Sequence, residues 1–184
     1  MYSPAFMPAS LPRPDRSIVL VGLMGVGKST VGKRLAKRLG LDFVDSDDEI
    51  ASAAGCSITD IFDRFGEQSF RDGERRVIAR LVAGPPKVIA TGGGAFVNDE
   101  TRRLILDTCI AIWLDADIAT LAERVGRRDS RPLLRDRDPQ MVLAELAEIR
   151  NPLYAEAHIH VRSYSAPHER TVDDIADALS RWWG

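Results

Sequence analysis

Cysteine is scarce in this chain: Cys56 and Cys109 are the only two among 184 residues. They lie far apart and show no metal-site spacing. That excludes a disulfide framework and points to free thiols in a reducing cytosol. No apolar run approaches the ~20 residues needed to cross a bilayer, and no secretory signal is recognisable. Charge of one sign is also lacking, since 25 Lys and Arg against 27 Asp and Glu leave a formal net charge of −2. Such a balance gives no general pull towards nucleic acid or anionic membranes. His158, His160 and His168 have no metal-ligand partner set and read as structural or exposed. No internal repeat occurs. What is there, 45% hydrophobic and 28% charged residues, is the composition of a soluble globular chain long enough for a real core.

Residues 1–16 carry Pro4, Pro8, Pro12 and Pro14 without helical periodicity, so a disordered tail is expected there and a single domain over 17–184. From residue 17 strands and helices alternate. Strands are expected at 17–21, 42–45, 87–90, 109–114 and 158–162. Helices are expected at 31–39, 48–54, 57–64, 67–82, 98–106, 118–125 and 171–182, with another from 139 to 157 disturbed by Asn151-Pro152. Trp182 and Trp183 look like an anchor for the last helix. Five short strands separated by helices indicate a parallel α/β sheet with both faces covered. Ligands of such sheets bind beyond the carboxyl ends of the strands. The segments 22–30, 45–47, 91–94 and 115–117 all follow strands and should meet on one edge.

Gly22-Leu23-Met24-Gly25-Val26-Gly27-Lys28-Ser29 fits G-x-x-x-x-G-K-[ST], with a strand before it and a helix after it. A loop of this type wraps backbone N–H groups around nucleotide phosphates and aims a helix dipole at them. Lys28 would reach the β/γ-phosphates and the Ser29 hydroxyl would ligate Mg²⁺. The chain is therefore expected to bind a nucleoside triphosphate. A second acid near the metal is also needed. Asp115 after the apolar run 110–114 is one candidate, with Asp117 beside it, and helix capping before residue 118 is their alternative role. Asp45 and Asp47 after a shorter strand are the other candidates. Spacing alone leaves the choice open.

Three glycines, Gly92, Gly93 and Gly94, follow the strand 87–90; they are costly in chain entropy and make sense where backbone must approach something closely. Arg124, Arg127, Arg128, Arg131, Arg135 and Arg137 crowd a polar stretch with Asp129, Asp136 and Asp138 between them. The mixture argues against a nucleic-acid patch and for a lid over 126–138 that brings an arginine to the transferring phosphoryl group. Arg71 and Arg150, inside helices, could together clamp a planar carboxylate.

The strings Gly22-Leu-Met-Gly-Val-Gly-Lys-Ser-Thr30, Phe43-Val-Asp-Ser-Asp47, Ser57-Ile-Thr-Asp-Ile-Phe62, Gly66-Glu-Gln-Ser-Phe-Arg71, Thr91-Gly-Gly-Gly94, Arg131-Pro-Leu-Leu134 and Arg150-Asn-Pro-Leu-Tyr154, in this order, resemble those of the shikimate kinase family. The resemblance implies a three-layer α/β/α P-loop kinase fold, with a five-stranded parallel sheet in order 2-3-1-4-5 and a mobile lid. It implies transfer of the ATP γ-phosphate to the 3-hydroxyl of shikimate; beside it, a cytoplasmic monomer with no nucleic-acid or membrane partner is expected. By the same resemblance Asp45 joins Ser29 in holding Mg²⁺ and Asp115 is left to cap a helix. Asp47 binds the substrate hydroxyls and orients or deprotonates the attacking one. Arg71 and Arg150 hold the shikimate carboxylate, and the backbone of Gly92, Gly93 and Gly94 lines that pocket. Gly25, Val26, Gly27, Lys28, Ser29 and Thr30 cradle the nucleotide, Arg131 is the lid arginine, and Arg124 with the 163–168 loop lies near adenine. The rival readings are another small-molecule P-loop kinase, for gluconate or a nucleoside monophosphate, and a nucleotide-binding regulatory module without catalysis.

Overall fold

The computed structural model describes residues 14–127, 134–164 and 167–184. Residues 1–13 of the expected tail and 128–133 of the expected lid, Arg131 included, lie outside them. The sheet is built from β1 (Ile18–Val21), β2 (Asp42–Asp45), β3 (Lys87–Ala90), β4 (Ile110–Asp115) and β5 (Ile159–Arg162). All pairings are parallel and the order is β2-β3-β1-β4-β5. Helices α1 (Lys28–Leu39), α2 (Ser46–Ala54), α3 (Ile58–Ala83), α4 (Asp99–Thr108), α5 (Ile118–Gly126), α6 (Pro139–Tyr154) and α7 (His168–Trp183) make up the covering layers. Every residue of β1 is fully buried, which is why this strand reads as an unbroken apolar run. β5, at one edge, alternates buried Ile159 and Val161 with exposed His160 and Arg162.

The chain leaves β1 for the β2/β3 side and later crosses back to β4/β5. The order therefore reverses around β1, and its carboxyl end opens into the crevice where doubly wound sheets hold ligands. α1 packs close beneath: a Cβ on Gly32 would lie 2.6 Å from the Phe43 ring of β2.

Most expected elements stand within two or three residues of their places. The helices expected at 57–64 and 67–82 form one run, broken at Gly66, whose φ of 81° and ψ of 172° are not helical. α2 starts at Ser46 rather than 48 because the Asp45 side chain accepts the Asp47 N–H at 2.9 Å and caps it. Asn151-Pro152 does not disturb α6, which runs on to Tyr154. Pro152 sits in the last turn and removes a single donor there, while the Ala155 N–H still closes onto Asn151 at 2.9 Å. Trp183 packs against the core, and half-exposed Trp182 lies 5.1 Å from the His158 ring, centroid to centroid.

Candidate active site

The loop after β1 is shaped by its glycines. Gly25 and Gly27 have φ of 83° and 97°, in the left-handed region open to glycine. Gly27 also occupies the N-cap of α1 and offers no capping side chain. The first N–H groups of α1 are left for a ligand, and an anion is what a helix N-terminus attracts. Val26 is buried in the core, so it meets a ligand through its backbone alone. Lys28, itself buried, donates to the carbonyls of Gly22 at 2.7 Å and Leu23 at 3.0 Å. The Ser29 hydroxyl donates to Asp45 Oδ2, while Asp45 Oδ1 is the cap of α2.

These groups open into a cavity of about 390 Å³ that also takes in Thr30, Asp47, Thr91 to Gly93, Arg124, Arg127 and His168. Arg124 bridges two loops, donating to Gly25 O at 3.0 Å and Tyr164 O at 2.7 Å. Burial lowers its pKa, with Glu123 opposing. His168 lines the cavity with its ring towards Gly27, and burial followed by Arg124 and Arg34 lowers its pKa. The other two histidines match the expectation, His158 accepting the Ala111 N–H at 3.0 Å and His160 stacking on Trp113.

The far wall begins with the triple glycine, of which Gly92 and Gly93 line the cavity. Thr91 ties it to β1 by donating its hydroxyl to Leu20 O at 2.9 Å. None of the three glycines has a left-handed φ, so the requirement is for space. A Cβ on Gly92 would lie 2.9 Å from Asp47 and 3.1 Å from Glu74; one on Gly93 would lie 3.1 Å from Arg150; one on Gly94 would overlap the Arg71 guanidinium. Each glycine thus makes room for a charged side chain carried by α2, α3 or α6.

Sequence reading missed two members of this wall. Glu74, 3% exposed, takes the Arg71 guanidinium at 2.9 Å. Burial lifts its carboxyl above the ordinary 4.5 against the pull of Arg71, and Asp47 adds to the rise. Its signal, an acid three residues after Arg71, is that of any helix-surface pair. Tyr154 is wholly buried and donates to Gly93 O. It stood in a quoted string, but nothing in that string distinguishes it from a core aromatic.

One expectation fails. Asp115 caps no helix: its carboxylate faces His160 at 3.4 Å and Arg162 at 3.5 Å. Asp117 holds the N-cap position of α5 but its side chain makes no cap bond and pairs with Arg162 instead. β5 runs beside β4 in register, with Arg162 opposite Asp115, and cross-strand charge attraction outcompetes the cap.

Among the described residues no three His, Cys, Asp or Glu side chains gather as a metal site. Ser29 and Asp45 in contact nevertheless suit Mg²⁺, which takes one or two protein oxygens and fills its octahedron with phosphate and water.

The fold and this site define a small-molecule kinase of the P-loop class. The shikimate kinase family model matches residues 24–180. A shikimate kinase of Caulobacter vibrioides is 60% identical over 164 residues, covering 89% of this chain and 82% of that protein. One from Zymomonas mobilis is 58% identical over 166 residues, covering 90% and 94%. The structure of the Acinetobacter baumannii shikimate kinase in complex with shikimate superposes with a TM-score of 0.88 at 36% identity, covering 91% of this chain and 94% of that one. A gluconokinase from Sinorhizobium meliloti reaches 0.60 at 21% identity, a likeness of fold alone. The chain belongs to the shikimate kinase family.

Proposed function

We propose that this chain transfers the γ-phosphoryl group of ATP to the 3-hydroxyl of shikimate, giving shikimate 3-phosphate and ADP. The observation that carries the reading is the triple-glycine wall, where each glycine yields space to one of Asp47 with Glu74, Arg150 and Arg71. Two guanidiniums and a carboxylate at the edge of a nucleotide cavity suit an acceptor with one carboxylate and several hydroxyls. The related enzyme from Acinetobacter baumannii binds shikimate.

In this reading the N–H groups of Gly25, Val26 and Gly27 and the side chains of Lys28 and Thr30 hold the triphosphate, with Arg124 at the base. Ser29 and Asp45 hold Mg²⁺, which, when bound, supplies charge neutralisation to the phosphates. Arg71 and Arg150 fix the acceptor carboxylate, and Gly92, Gly93 and Gly94 bring their backbone against its ring. Asp47 takes a hydrogen bond from the attacking hydroxyl and orients it, or accepts its proton. Arg131, on the lid, neutralises charge on the transferring group. Lys28 and Arg131 would put positive charge on the transferring phosphoryl group, and positioning with charge stabilisation is most of what phosphoryl transfer asks of a protein. Two free thiols among the described residues support a reducing, cytoplasmic setting.

The test is ADP release by the purified chain with ATP and Mg²⁺, across shikimate, gluconate and nucleoside monophosphates. Release with shikimate alone is expected. Release with another acceptor alone would make it a different P-loop kinase, and no release at all a binding module.

A further inference from the structure

Tyr154 ends α6 with its ring wholly buried, at 6.5 Å from Phe96 and 6.0 Å from Trp113 between centroids. A phenylalanine would satisfy that packing equally well. The hydroxyl has another occupation: it donates to Gly93 O and stands within hydrogen-bond reach of Arg150. Arg150 lies over Gly93, where a Cβ would come 3.1 Å from its Nη1. One phenol oxygen therefore joins the middle peptide of the glycine wall to one of the two arginines facing it.

We infer that Tyr154 is a positioning residue of the acceptor pocket, its hydroxyl fixing the Gly93 peptide and aiming Arg150 at the acceptor's carboxylate. The inference rests on the shikimate-kinase reading. Three glycines in a row leave the wall free to rotate about its peptides, and an anchor on the middle one removes that freedom before the substrate arrives. The oxygen can donate to Gly93 and accept from Arg150 only while it keeps its proton. Burial, against the opposing pull of Arg150, pushes the phenol up to about 12, so it stays a donor throughout the working pH range. Gly93 also lies beside the phosphate loop, where a Cβ on it would come 3.5 Å from Met24 N and 3.7 Å from Gly22 O, but the hydroxyl's own partners are Gly93 O and Arg150, so its loss should fall first on acceptor binding.

Steady-state kinetics of Tyr154→Phe test this. The shikimate KM is expected to rise roughly tenfold, the size of a lost buried hydrogen bond, while kcat and the ATP KM stay within about a factor of two. Trp113→Phe, which loosens the packing around the ring and keeps the hydroxyl, is expected to lower Tm and leave the shikimate KM in place. An unchanged shikimate KM in Tyr154→Phe overturns the inference, as does an equal rise in Trp113→Phe. If the phenylalanine variant does not fold, 3-fluorotyrosine at position 154 alters the donor strength at almost constant size; a shifted shikimate KM supports the inference and an unshifted one overturns it. The wild type run alongside separates the two levels. A wild type without shikimate-dependent ADP release sinks the functional reading, whereas an active wild type beside an unaffected Tyr154→Phe sinks only the role of Tyr154.

Discussion

Arg71 is gripped by Glu74 at 2.9 Å and Glu67 at 3.4 Å while Gly94 leaves it room, so its guanidinium is in place before a substrate arrives. Preorganised charge of this kind is spent on ground-state binding. Arg71→Ala is expected to raise the shikimate KM on the order of 10²-fold with the ATP KM little changed, read by varying each substrate in a coupled ADP assay. Gly94→Ala makes the complementary case. The new methyl group meets only the end of a flexible side chain, so the protein should fold with nearly unaltered Tm, yet Arg71 must move aside and the shikimate KM should climb by more than about tenfold. Arg131→Ala belongs to the other half of the reaction: kcat is expected to fall by roughly 10³-fold, as when an arginine finger is removed. A kcat near the wild-type value would end that role.

At the scale of elements, α3 carries two glycines with opposite requirements. Gly66 breaks the helix at φ 81°, and Gly73 lies in regular helix; a Cβ on either would meet nothing within 4 Å. Backbone conformation alone separates them. Gly66→Ala is expected to destabilise by about 1–2 kcal/mol through left-handed strain, and Gly73→Ala to stabilise by about 0.5–1 kcal/mol. Denaturant midpoints of the two variants measure both signs. The break at Gly66 was legible in the sequence, where one helix is expected to end at residue 64 and the next to begin at 67. The persistence of α6 through Pro152 was not, since a proline's cost depends on how near the helix end lies. Nor was the pairing of Asp115 with β5, because a strand-end acid reads as a cap until the neighbouring strand and its arginine are known.

For the whole molecule, two partly buried histidines are expected to contribute to the response to acid. His158 has its pKa lowered from 6.5 by burial, helped by Arg16 and opposed by the Leu106 backbone; His168 is lowered by burial, Arg124 and Arg34. In both cases the unfolded chain binds a proton before the folded one. Their stabilisation is complete above about pH 6.5 and is lost as the pH falls through the folded values. Glu74 has the opposite sign. Its raised carboxyl favours the folded state at low pH, and that part is lost as the pH climbs from 4.5 through its folded value. Tm is expected to fall on acidification from pH 7 to about pH 5.5, and His158→Asn should flatten that fall, seen as a shallower Tm–pH profile. An unchanged slope would exclude His158 as a source.

The sequence by itself determined the phosphate loop, the five parallel strands and the edge on which 22–30, 45–47 and 91–94 meet. Local spacing and strand-then-helix periodicity carry that information directly. It also supplied Asp47, Arg71 and Arg150, and the family resemblance implied that they share one acceptor pocket with the triple glycine. Only the tertiary structure decided how the three glycines make room for these side chains, that Glu74 and Tyr154 stand with them, and that Asp115 pairs with β5 instead of capping a helix. Those facts depend on which helix faces pack over which strand ends. Contacts between residues many positions apart are fixed by the closing of the sheet and its covering layers, and no local pattern encodes them.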